Sequence, residues 1–189
     1  MDSEHELRVL EINPDVIGEK VRLAGGKNVQ QRTLQKRFTY DVIPVNRNKW
    51  VRLRTNGVKT TLAIKHVTGQ GVSDTKEIEI EISDFETAAN LMREMGIKAN
   101  SYQENYRTIY ELDGTEIMVD EWPLIPPYVE VEAKSPDLVM SVLKKLGYDA
   151  KQATGLDVSS VFEQVYKIDV DNMPELKFDS KAKPVSTDN

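Results

Sequence analysis

The chain has 189 residues, no cysteine and a formal net charge of −6, with 30% of its residues charged. That length suits one ordinary domain with a core of its own, while the missing cysteines exclude a disulfide scaffold, a thiolate zinc site and a cysteine nucleophile. The acidic surplus argues against a nucleic-acid partner. The charged opening Met1-Asp2-Ser3-Glu4-His5-Glu6 has no signal-peptide core, and no stretch approaches the roughly 20 apolar residues of a membrane helix, so the expectation is a cytoplasmic protein with no membrane partner.

The first segment, Glu4 to Ile12, alternates charged and apolar residues and predicts a strand. Asn13-Pro14 then caps a helix over Asp15 to Ala24, which Gly25-Gly26 stops. Strands follow at Gln30 to Val42 and Lys49 to Thr55, separated by a turn around Pro44 and Asn46-Arg47-Asn48. The Asn56-Gly57 pair is a strong hairpin signal and returns the chain as Lys59 to Val67. After a loop at Gly69-Gln70-Gly71, Thr75 to Ile82 alternates strictly. Ser83-Asp84 caps a helix from Phe85 to Met95, closed by Gly96. Strands at Tyr102 to Leu112 and Glu116 to Glu121 join at Asp113-Gly114. The prolines of Trp122 to Pro127 exclude a central strand there, and Tyr128 to Ala133 is the next one. Ser135-Pro136 opens a third helix to Leu146, and Gly155 to Lys167 predicts a fourth, weaker one. The polar segment 171–189 predicts a disordered tail, leaving 1–170 as one domain.

Residues two apart on a strand share a face. Glu4, Glu6 and Arg8 therefore lie together, as do Arg52 with Arg54, Glu77 with Glu79 and Glu81, and Glu130 with Glu132. Lys65, Arg107 and Asp120 lie on further alternating strands. Charged faces of this kind often look at water. Here the amphipathic helices need apolar strand faces to cover, so a sheet closed into a barrel would turn its charged faces inward. Buried carboxylates and cations must pair or bind something. Arginine and lysine suit a polyphosphate, and the carboxylates suit a hard divalent cation that bridges them to it. Two histidines, His5 and His66, are too few and too far apart for a histidine metal site or a Ser-His-Asp triad.

These residues resemble the CYTH, or triphosphate tunnel metalloenzyme, family in the order and spacing of its motifs. Glu4-His5-Glu6-Leu7-Arg8 looks like its N-terminal ExExK signature, Val51-Arg52-Leu53-Arg54 like its paired-arginine strand, and Thr61 to Lys65 like its lysine strand. Glu77-Ile78-Glu79, Tyr106-Arg107, Val119-Asp120 and Val129 to Glu132 are similar to its later motifs. The resemblance implies an α+β fold, a closed eight-stranded antiparallel β-barrel or tunnel with helices packed outside. It implies a small-molecule triphosphate held by Arg8, Arg52, Arg54, Lys65 and Arg107. It implies Mg²⁺ or Mn²⁺ at Glu4, Glu6, Glu79, Asp120, Glu130 and Glu132, catalysis centred on Glu4, Glu6 and Arg8, and a monomer or homodimer. The activity implied is metal-dependent hydrolysis of inorganic triphosphate or a small organic triphosphate. A class IV adenylyl cyclase and a non-catalytic polyphosphate-binding module are the alternatives. Three positions depart from the family pattern: Arg8 replaces lysine and cannot serve as a base, and Asn105 and Thr75 stand where basic residues are common, with Arg37 and Lys76 as potential substitutes.

Overall fold

The computed structural model describes residues 2–178, with side chains described from His5 onward. Residues 179–189 of the expected tail, and the side chain of Glu4, lie outside the described residues. The strands are β1 (Asp2–Val9), β2 (Lys27–Asn46), β3 (Lys49–Thr55), β4 (Thr60–Val67), β5 (Thr75–Ile82), β6 (Ala99–Leu112), β7 (Thr115–Glu121), β8 (Tyr128–Ala133) and a short β9 (Glu175–Leu176). The helices are α1 (Pro14–Leu23), α2 (Phe85–Glu94), α3 (Pro136–Lys145) and α4 (Val158–Ser160), the last running on into a π-helical turn over Val161–Val165.

The helices begin where the chain supplies an oxygen for their unpaired N–H groups. Asn13 accepts from the backbone of Asp15 and Val16, Asp84 from Thr87, and Ser135 from Leu138. Gly25, Gly96 and Gly147 follow the first three helices at positive φ, which a side chain would resist. The helices pack outside the sheet, as the pattern predicts. Ile17 and Val21 of α1 and Val139, Val142 and Leu143 of α3 bury against Val9, Ile117, Val119, Val129 and Val131. Phe85 of α2 packs on Tyr40 and Leu53.

The strand order is β2-β3-β4-β5-β1-β8-β7-β6-β9, and β2 also pairs with β6. The sheet is antiparallel apart from the β6–β9 pair, and it curls strongly. The fully closed barrel expected from the sequence is corrected in one respect: one seam of the curl stays open. β1 and β5 pair only from Asp2↔Glu77 to Glu4↔Thr75 before they diverge. Beyond that point, loop backbone replaces the ladder. The N–H of Glu6 donates to the Val72 carbonyl at 2.9 Å, and Arg8 exchanges backbone bonds with Thr154 at 2.8 Å.

Two further expectations are adjusted. The apolar strand faces are expected to lie under helices, yet Ile78 and Ile80 are 52% and 54% exposed, because the cluster around α2 takes in Ile82 at the end of β5 but neither of these two. Residues 171–178 are held in place: β9 pairs with Tyr102 and Gln103, and Val170 and Leu176 bury against Trp122 and Phe162.

Candidate active site

The inner face of the curl encloses a cavity of about 1110 Å³ lined mostly by polar side chains. Period-two alternation sends Glu6 and Arg8 of β1, Arg52 and Arg54 of β3, Lys65 of β4, Glu77 and Glu79 of β5, Arg107 of β6 and Glu130 and Glu132 of β8 to it. Asp120 of β7 is fully buried behind Arg107.

The strand order gives this set a polarity. Counting round the curl, β1 and β8 lie opposite β2 and β3. The β1/β8 wall carries Glu6, Glu130 and Glu132, whose carboxylate oxygens lie within 4.8 Å of one another. The β2/β3 wall carries Arg37, Arg52 and Arg54. Arg37 and Arg54 are direct register partners, so their side chains stand side by side.

Charge pairs hold each group in place. Arg8 forks between Glu6, at 2.9 Å, and Glu130, and donates to the Leu156 carbonyl at 2.8 Å. Arg107 grips Asp120 bidentately at 2.6 and 2.8 Å and reaches Glu130 at 3.5 Å. Arg52 meets Glu77 at 2.9 Å and Glu79 at 3.1 Å, while Lys65 meets Glu77 at 3.1 Å. Thr75 donates its hydroxyl to Glu6 at 2.9 Å. Asn105 donates to Asp120 at 2.7 Å and accepts from Arg37.

The environment shifts these groups in opposite directions. Burial pushes the Glu6 carboxyl up, but the cations of Arg8 and Lys65 and the Thr75 hydroxyl outweigh it and hold Glu6 at about 2. For Glu132 the pull of Lys65 is outweighed. Burial, then the charge of Glu130, pushes it up to about 7. On the other wall, the Arg52 guanidinium beside it and burial pull Arg54 down to about 9. Burial and the charges of Arg54, Arg52 and Arg107 pull Arg37 well down. An arginine keeps its proton in a protein, so this crowding is felt as repulsion that a bound anion relieves.

Of the acidic residues expected to hold metal, the structure brings together Glu6, Glu130 and Glu132. Asp120 is taken up by Arg107 and Asn105, and Glu79 by Arg52 and Arg54. The three clustered carboxylates fit a hard divalent cation. Their oxygens are hard donors crowded in a mostly buried place, and although Arg8 meets Glu6 and Glu130, Glu130 still repels Glu132, a repulsion that a cation would relieve. Glu77, which the sequence places in the Glu77-Ile78-Glu79 motif but not among the expected site residues, also lines the cavity, and Arg37 is expected only as a substitute. Of the two potential substitutes, Arg37 faces the cavity and Lys76 is exposed.

The model of the CYTH domain family matches residues 6–161. The chain belongs to the CYTH family. No curated protein matches it. Among solved structures, the CYTH fold here is similar to that of a Pyrococcus horikoshii OT3 protein, with a TM-score of 0.69 and 20% identity over 82% of this chain and 96% of that one. It is similar to a candidate adenylate cyclase from Vibrio parahaemolyticus, with a TM-score of 0.72 and 12% identity over 86% of this chain and 98% of that one. It also resembles a Hippeastrum protein named for adenylyl cyclase and reported to have a dominant triphosphatase activity, with a TM-score of 0.56 and 19% identity over 87% of this chain and 96% of that one. Among the described residues, no helix is long and apolar enough to cross a membrane.

Proposed function

We propose that the CYTH lumen is a triphosphate tunnel in which this protein hydrolyses inorganic triphosphate or a small organic triphosphate with the help of Mg²⁺ or Mn²⁺. The observation that carries the reading is the polarity of the lumen: three clustered carboxylates face an arginine wall across it. Arg52, Arg54, Lys65 and Arg107 bind the phosphate oxygens, with the guanidinium forks suited to two oxygens at once. Glu6, Glu130 and Glu132 would hold the cation. A bound divalent cation supplies charge neutralisation at the phosphoryl oxygens. The chain aligns the ligand for in-line attack by water on the terminal phosphorus, with the bridging P–O bond opposite breaking and the remaining diphosphate portion leaving on that oxygen. The proton of that water passes to a carboxylate oxygen of the acidic wall, since the arginines keep theirs. Arg8 serves as a fixed counter-ion that orients Glu6 and Glu130, and Asp120 orients Arg107.

A second reading, binding without turnover, is favoured by one feature: Arg8 already bridges two of the three clustered carboxylates. The activity reported for the Hippeastrum protein supports assaying hydrolysis and cyclisation together. The purified protein is incubated with tripolyphosphate, thiamine triphosphate or ATP and Mg²⁺ or Mn²⁺, and phosphate and cyclic AMP are measured. Metal-dependent phosphate release that is lost in Glu130→Gln and Arg54→Ala supports the hydrolase, and cyclic AMP replaces it with a cyclase. Absence of both products, with tripolyphosphate still raising the melting temperature, leaves a binding module. No effect of tripolyphosphate on either measurement removes the tunnel reading.

A further inference from the structure

Arg37 differs from the five cations that are paired in the lumen. It is 6% exposed, and Arg52, Arg54, Lys65, Arg107 and Arg8 each meet a carboxylate directly. Arg37 has no such partner among the described residues: its Nη2 donates to the neutral Asn105 amide, and its buried Nε has no hydrogen-bond partner there. The guanidinium is nonetheless held in a fixed pose. Its carbon lies 4.5 Å from the centre of the Trp122 ring, and Asn105 is itself anchored by donating to Asp120 at 2.7 Å. A buried cation fixed in place without a counter-charge is costly. Arg8 and Arg52 also bury an Nε without a partner, so it is the missing carboxylate that marks Arg37 as prepared for an anion.

We propose that Arg37 is an anion-binding residue that takes the end of a polyphosphate farthest from the acidic wall, and so selects for chain length. This rests on the tunnel reading above. Arg37 is on β2, opposite β1 in the strand order, and stands beside Arg54 in the ladder. An eight-stranded curl is wide enough for one small ligand. A ligand anchored by a cation at Glu6, Glu130 and Glu132 must therefore cross the lumen to reach Arg37. A chain of three phosphates spans farther than one of two. Asn105 is the positioning residue of the arrangement, because its acceptor oxygen faces Arg37 where a lysine or arginine would repel it.

The test uses calorimetric titration of the full chain, in Mg²⁺, with the imido analogues of tripolyphosphate and pyrophosphate, whose P–N–P bridges resist turnover. Arg37→Met is expected to weaken the triphosphate analogue by about ten- to a hundredfold, as for loss of a charge-assisted bond, and the diphosphate analogue by less than about threefold. Arg37→Lys falls between, keeping the charge but not the fork. The ligand-free melting temperature of Arg37→Met stays at or above that of the wild type, which a purely structural arginine would not allow. If Arg37→Met does not fold, Asn105→Ala reads the same loss of length discrimination through the freed guanidinium. Equal losses for both anions, or none, overturn the role of Arg37 while leaving the tunnel. Wild-type protein that binds neither analogue removes the tunnel reading and this one with it.

Discussion

Glu132 and Glu6 share the acidic wall, yet their surroundings drive them apart. Glu132 is raised to about 7 from an ordinary value of 4.5, so the folded state holds its proton more tightly than the unfolded chain does. Its contribution to stability is therefore favourable below about 4.5 and falls away as pH rises toward 7. Glu6, held at about 2, has the opposite sign: its contribution is present above 4.5 and is lost as pH falls toward 2. Glu132→Gln removes the first dependence and leaves the second. In melting curves from pH 3 to 9 without divalent cation, the variant is expected to lose the decline between pH 5 and 7 and to melt higher than wild type at pH 8. It is also expected to lose most of the stabilisation that Mg²⁺ gives the wild type. A variant that keeps both the decline and the Mg²⁺ response contradicts the assignment. This is the pattern of a binding site whose stability is traded for function.

At the scale of elements, α3 shows how the outer packing and the lumen divide the work. Val139, Val142 and Leu143 are fully buried against the outward faces of β1, β7 and β8, whose inward faces carry the acidic wall and Asp120. Leu143→Ala is expected to destabilise the fold by about 2–5 kcal/mol, measured as a lower urea midpoint with an unchanged slope. Anion affinity of the folded fraction is expected to stay near that of wild type. A large affinity loss would mean that α3 sets the geometry of the lumen more directly than its packing suggests. The elements themselves were largely legible. Asn13, Asp84 and Ser135 announce the helix starts, and the glycines after α1, α2 and α3 announce their ends. The start of β2 at Lys27 was missed by three residues, because Lys27, Asn28 and Val29 carry no alternation. The exposure of Ile78 and Ile80 was not legible either, since strict alternation predicts an apolar face without saying whether a helix is long enough to cover it. The strand at Glu175–Leu176 is too short for any periodic signal.

The whole molecule adds what no single strand carries. Period-two alternation assigns the inward residues strand by strand. Which walls face each other depends on the strand order, and that order joins β1 to β5 and β8 across long stretches of chain. The open seam beside Glu6 has the same origin: the Gly69–Asp74 loop supplies Val72 to the β1 edge, and a loop offers no pattern that would foretell it. The polarity of the lumen, acidic on β1/β8 and basic on β2/β3, is therefore a property of the fold rather than of any motif, and it carries the functional account. The most direct test is an anomalous difference map from crystals grown with Mn²⁺ and the imido analogue of tripolyphosphate. The account predicts a manganese peak within bonding distance of Glu6, Glu130 and Glu132, with the anion reaching from it to the arginine wall. Manganese bound elsewhere, or an anion lying outside the lumen, would contradict it.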